Sequence, residues 1–208
     1  QIAKWVKAYG EDSDFVRVRV KGQFPRVGAM EFISIADVEL AMAREPQVHL
    51  HDPLILGVDV ARFGDDKSVI YIRKGRDAAT YPPLVFSGVD TMALAGKVAE
   101  AYGQYHADAV FVDGGGVGGG VVDRLRQLHV PVIEVQFGGK PDRLGTGESS
   151  DDGTAYANKR AEMWGFMRAA LREGLALPSE TTEWGRQIKE ELVGPQYGFN
   201  AANAIQLE

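Results

Sequence analysis

Leu54-Ile-Leu-Gly-Val-Asp-Val60 is the stretch on which the reading of this chain turns. Leu54, Ile55, Leu56, Val58 and Val60 are apolar and branched, the composition of a strand covered on both faces. Asp59 lies in their midst. Burying an unpaired charge costs on the order of several kcal/mol, so either a protein partner or a cation must satisfy it. A second stretch repeats the pattern: Ala109-Val-Phe-Val-Asp113, followed by Gly114-Gly-Gly. Two apolar strands, each with an aspartate at or near its C-terminal end, point two carboxylates toward one metal site. The competing structural reading has Asp59 paired to Arg62 and Asp113 capping the next turn or helix.

Downstream of the first strand, the turn at Arg62-Phe-Gly-Asp-Asp66 leads to a second strand, Ser68–Arg73, and Lys74-Gly-Arg-Asp77 marks an antiparallel return. A third strand runs from about Leu84 to Val89. Thr91 is the expected N-cap of a helix from Met92 to about Tyr105. After the strand at 109–112, the glycine run opens a helix over 117–128, and a fifth strand covers Val132–Val135. Residues 137–157 are rich in Gly, Ser and Asp and carry no periodicity. An amphipathic helix spans Ala157–Glu173, closed by Gly174, with Trp164, Phe166, Met167 and Leu171 as its core-facing residues. A second helix spans Glu183–Leu192, and Tyr197–Phe199 with Ala204–Glu208 forms a terminal hairpin. The order β-β-β-α-β-α-β-α implies an α/β fold: a mixed sheet with helices on both faces.

Upstream, residues 1–53 differ in character. Trp5–Tyr9 reads as a helix end, Phe15–Val20 alternates apolar and basic residues in the manner of a half-exposed strand, and Ile35–Arg44 is a short helix limited by Pro46. The segment has no extended apolar core of its own and reads as a connector lying on a main domain that begins near Pro53.

The 208 residues suffice for one ordinary domain with additional structure. Hydrophobic residues make up 45% and charged residues 25%, as in globular proteins generally. No apolar run approaches the length of a membrane-spanning helix. Cysteine is absent, which excludes disulfides and thiolate metal sites. The net charge of −6 argues against coating nucleic acid through bulk charge, yet is compatible with an enzyme that gathers carboxylates around metals.

Carboxylate oxygens are hard ligands for Mg²⁺ or Mn²⁺, and two such ions about 4 Å apart serve phosphodiester hydrolysis. Asp65 and Asp66 stand in ordinary hairpin composition, to which a structural role and a ligand role are equally suited; a hairpin that folds back on Asp59 would bring Asp66 near the same metals. The glycine run supports a rival: Gly114-x-Gly116-x-x-Gly119 follows a strand, opens a helix and precedes Glu134, the pattern of a dinucleotide-binding turn. Against it, three meandering strands precede the motif, and Asp113 would stand beside the pyrophosphate. No P-loop occurs, and His49, His51, His106 and His129 lack metal-ligand spacing. Lys159 and Arg160 open a helix against its macrodipole, so either a phosphate contact or pairing with nearby acids such as Glu162 is expected to offset them.

Taken together, Gly57-Val-Asp-Val-Ala-Arg-Phe-Gly-Asp-Asp-Lys-Ser68, Val112-Asp-Gly-Gly-Gly-Val-Gly-Gly-Gly-Val-Val-Asp-Arg124 and Asn158-Lys-Arg-Ala-Glu-Met-Trp164 resemble the C-terminal nuclease domain of the large terminase subunit of tailed bacteriophages. Tyr9–Phe15 and Val20–Pro25 resemble that family's link from its ATPase motor. The resemblance implies an RNase H-like fold over 54–208, with 1–53 as the connector from an N-terminal ATPase domain. It implies an endonuclease that cuts concatemeric double-stranded DNA in the cytoplasm of the infected host, with two Mg²⁺ or Mn²⁺ ions. Carried over, Asp59 and Asp113 are the catalytic and metal-binding acids and Asp66 a further metal acid. Lys159, Arg160, Lys140 and Arg143 are the candidate DNA contacts. The portal protein and the small terminase subunit are the implied partners, with no membrane. The family's third acid lies in a Pro-Asp-x-x-Asp-Ala setting on a C-terminal helix. No such motif precedes Glu208, so a nuclease domain cut short at its C-terminus is expected. The alternatives are a nucleotide- or dinucleotide-binding domain using Gly114–Gly120, and a docking module of the same fold without catalysis.

Overall fold

β1 (Leu54–Asp59) and β2 (Lys67–Lys74) form an antiparallel hairpin in the computed structural model, which describes residues 2, 3, 6, 16, 20–22, 31–61, 66–142, 155–202 and 204–207. β3 (Leu84–Ser87) continues the meander on the outer side of β2. α1 (Ile35–Met42) precedes the sheet, and α2 (Thr91–Tyr105) leads from β3 to β4 (Ala109–Asp113). α3 (Gly118–Gln127) then connects β4 to β5 (Val132–Val135). The sheet order is β3-β2-β1-β4-β5, with β1, β4 and β5 mutually parallel. The acid-bearing first and fourth strands are therefore neighbours at the centre. α4 (Lys159–Arg172), α5 (Glu183–Val193) and a small hairpin of β6 (Tyr197–Phe199) with β7 (Ile205–Leu207) complete the described chain.

Two cores flank the sheet. Alternation along the strands sends Leu54, Leu56 and Val58 of β1, Ile70 and Ile72 of β2, and Val110 and Val112 of β4 to one face. There they meet Leu94, Val98, Val121 and Leu125 of α2 and α3. Each fully buried aliphatic side chain contributes roughly 1.5–3 kcal/mol, which is why the period-two pattern sets the register. A second core gathers Phe32, Ile33, Val38 and Ala41 around α1 with Leu171, Leu175, Leu192, Tyr197 and Ile205. α1 packs against both α4 and α5, so residues from the stretch before Pro53 build part of this core.

Several local expectations change. Asp90, rather than Thr91, caps α2, its carboxylate accepting from the Ala93 amide at 2.7 Å. Asp outranks Thr as a cap, and Thr91 becomes the first helical residue. Of the strand expected over Phe15–Val20, only Val16 and Val20 are described. Val16 is helical and fully buried, and the Val20 amide donates to its carbonyl at 3.0 Å, a helical bond. Phe166 is 49% exposed rather than in the core, whereas Leu171 is buried and Trp164 and Met167 pack against its cluster. Asn158 caps α4 through the Ala161 amide. Among the described residues no helix is long and apolar enough to cross a membrane.

Candidate metal centre

The parallel register of β1 on β4 pairs Gly57 with Phe111 and Val58 with Val112; one step further come Asp59 and Asp113. Both acids belong to the set that alternates away from the α2/α3 core, so they stand side by side on the other face, at the C-terminal ends of the two central strands. Asp59 is also the antiparallel partner of Val69 on β2. Gly57, flanked by Tyr71 and Phe111, has no side chain to fill the space between them. The result is an open groove of about 400 Å³ whose walls include Tyr71, Phe111, Val135, Phe137 and Met163 and whose lining includes both acids.

The electrostatics of Asp59 are set by enclosure and by neighbouring acids. The residue keeps an exposed side, yet enclosure of its carboxyl is the first cause of a pKa raised above the usual 3.8. Asp113 is the second, the Val60 amide hydrogen bond opposes them, and Glu191 and Asp66 add further repulsion. Among the described residues, the charged neighbours that weigh on Asp59 are thus all acids. Asp113 is half-buried and accepts from the Gly115 amide at 3.0 Å, which aims its carboxylate along its own loop.

The glycine run serves close packing. A Cβ on Gly114 would lie 2.4 Å from the Glu134 side chain, and one on Gly118 would lie 1.8 Å from the Asp113 carbonyl oxygen. Gly116 adopts φ +59°, where glycine is favoured. Glu134 is held over this turn by Gln136 at 2.6 Å and Arg126 at 3.3 Å. A carboxylate folded over the first glycine occupies the ground a pyrophosphate would need, which counts against the dinucleotide reading.

The expected basic residues divide. Arg62, Asp65 and Arg143 lie outside the described residues. The Lys159 ammonium donates to Asp142 and, at 2.6 Å, to fully buried Glu162. Burial alone would lower its pKa, but these two partners outweigh that and raise it. The helix-start lysine is therefore offset by acids of its own chain, as the pairing alternative with Glu162 supposed. Arg160 and Lys140 are both exposed. The backbone amides of Lys159 and Arg160 are bonded to the carbonyls of Gly139 and Phe137. Glu191, in the last turn of α5, is an acid of this neighbourhood that no motif marks; only the fold brings its charge to bear on Asp59.

The donor set suits a hard divalent cation: carboxylate oxygens, no thiolate and no imidazole. Among the described residues, no three His, Asp or Glu side chains converge on one point. That is compatible with Mg²⁺, which keeps several waters and binds through one or two carboxylates plus substrate phosphate oxygens.

No protein-family model and no curated protein sequence matches this chain. Solved structures do. The nuclease domain of the large terminase subunit gp2 of bacterial virus Sf6 aligns with a TM-score of 0.71 at 15% identity, over 86% of this chain and 88% of its own. The large terminase nuclease from thermophilic phage G20c, solved with bound magnesium, gives 0.57 at 16% identity over 87% and 89%. The large terminase nuclease domain of Thermus phage P74-26 gives 0.53 at 12% identity, over 83% of each chain. Further structures hold manganese or calcium in the Sf6 domain and cobalt in the G20c domain. The mixed five-stranded sheet with its flanking helices is therefore the RNase H-like fold of these nuclease domains, which this chain resembles over most of its length.

Proposed function

We propose that this chain is the metal-dependent endonuclease domain of a viral DNA-packaging terminase and cuts concatemeric double-stranded DNA by phosphodiester hydrolysis. The observation that carries the reading is the placement of Asp59 beside Asp113 on adjacent parallel strands, with acids as the charges that weigh on Asp59 among the described residues. The shared fold with terminase nuclease domains supports it. Asp59 and Asp113 would hold two Mg²⁺ or Mn²⁺ ions, and Asp66 would supply a further carboxylate. Bound there, such ions supply Lewis-acid charge for the phosphoryl oxygens and bring a water toward its hydroxide form near neutral pH. The chain's own part is to orient. The Gly115 amide aims Asp113, and the rigid central strands fix the spacing of the acids. Phe111, Tyr71 and Phe137 give the groove apolar walls beside the acids.

In this reading residues 54–208 are the nuclease unit and 1–53 the link to an ATPase motor. The portal protein and small terminase subunit are partners, and the infected cell's cytoplasm is the setting. Supercoiled plasmid tests the proposal, incubated with Mg²⁺, Mn²⁺ or EDTA and wild-type, Asp59→Asn or Asp113→Asn protein. Nicking and linearisation by wild type alone, abolished by EDTA, is the expected result. Cutting that persists in Asp59→Asn would remove the assignment. A wild-type protein that binds no Mn²⁺ would turn it toward a docking module.

A further inference from the structure

Alternation along β2 buries Ser68, Ile70 and Ile72 and leaves Lys67, Val69, Tyr71 and Arg73 on the face that carries the acids. Across the five strands of the sheet, Lys67 and Arg73 are the basic residues on that face. Arg73 stands at the far end, paired with Ile55, and its guanidinium donates to the Gly75 carbonyl. Lys67 stands at the acid end. Its strand neighbour Val69 is the cross-strand partner of Asp59, which makes Lys67 the diagonal neighbour of Asp59. Such pairs are about 7–8 Å apart, within reach of a long side chain. Lys67 is exposed, and its ammonium has no hydrogen-bond or ion-pair partner among the described residues. Lys159 and Lys189, by contrast, are each held by two carboxylates.

An unpaired cation beside a cluster of acids, in a chain of net charge −6, is placed to receive an anion arriving over that cluster. Lysine binds phosphate as a compact point charge, and a local cation is what an acidic surface needs to hold a polyanion. We propose that Lys67 contacts a backbone phosphate of the DNA strand lying over Asp59 and Asp113, and so sets that strand's position. This rests on the nuclease reading above.

The test compares wild type, Lys67→Ala and Lys67→Arg. Affinity for a short fluorescent blunt duplex is measured in Ca²⁺ across a salt series, Mn²⁺ binding by calorimetry, and plasmid cleavage in Mg²⁺. Lys67→Ala is expected to bind duplex roughly threefold to tenfold more weakly. It should lower the slope of log K against log salt by about 0.9 and raise KM more than it lowers kcat. Mn²⁺ binding should be unchanged, and Lys67→Arg should recover most of the affinity and the slope. Wild-type affinity and slope in Lys67→Ala, with wild type cutting and binding Mn²⁺, would overturn the Lys67 contact alone. A wild type that binds neither Mn²⁺ nor duplex would overturn the nuclease reading and this contact with it.

Discussion

Gly118 starts α3 directly against the carbonyl oxygen of Asp113, at a separation that leaves no room for a Cβ. The atom it would strike is backbone at the centre of the sheet, not the end of a flexible side chain. The absence of a side chain at this position therefore lets the helix begin under β4 and keeps Asp113 in place. Gly118→Ala should destabilise the fold by about 1–3 kcal/mol through overpacking and weaken Mn²⁺ binding at the displaced acid. Gly119→Ala is the control. Its added Cβ would meet nothing nearer than 3.9 Å, and the change should be neutral or stabilise by about 0.5–1 kcal/mol. Urea denaturation and calorimetry read both.

Asp59 makes the stability of the metal-free protein depend on pH in an unusual direction. Its folded-state pKa is raised, so the folded chain keeps the proton that the unfolded chain has already lost. Stability from this group is present at low pH and falls as pH rises from 3.8 through the raised value. At neutral pH the ionised carboxylate is a net cost. Asp59→Asn should therefore raise the melting temperature of the metal-free protein at pH 7. Saturating Mg²⁺ should stabilise wild type by about 2.7 kcal/mol at a hundred times Kd and should have much less effect on the variant.

Tyr71 reports on the groove wall. Burial first, and the charge of Asp77 second, push its phenol up to about 12, and its hydroxyl donates to the Ala78 carbonyl at 2.7 Å. Tyr71 should thus contribute a late step to a phenolate absorbance titration. Because the folded state holds this proton longer than the unfolded one, stability should fall as pH rises from 10 towards 12. Tyr71→Phe should cost about 1 kcal/mol and remove the late-titrating signal.

Lys159 tests a structural role against a DNA-binding one. Glu162 is fully buried, one carboxylate oxygen has no partner, and the other depends on Lys159. Lys159→Met would strand that carboxylate, at a cost of about 3 kcal/mol. Pairing Lys159→Met with Glu162→Gln should recover part of the loss. The salt slope of duplex binding should stay at the wild-type value, because the ammonium is already committed to its own chain.

The strand order and the two central acids were legible in the sequence because both are written in local patterns. Apolar runs mark buried strands, and an aspartate in such a run is conspicuous. Glu191 and Lys67 carried no such mark. One is an ordinary acid on an amphipathic helix, the other a lysine in common hairpin composition, and only strand pairing and helix packing give them a place. At Val16 the alternation leads to a strand, whereas the described residue is helical and fully buried. Asp90 was missed as a cap because the neighbouring Thr91 offered the same chemistry one position later.

The acid pair exists only where β1 lies against β4, and between those strands the chain must first build a hairpin, a third strand and α2. Closing so long a loop is among the slower events of folding, because its entropy is lost before the contacts form. A nascent or partly folded chain therefore carries both carboxylates without a centre. If the domain cuts DNA, that activity appears only with the finished sheet, and incomplete copies made during synthesis are harmless to the nucleic acid around them.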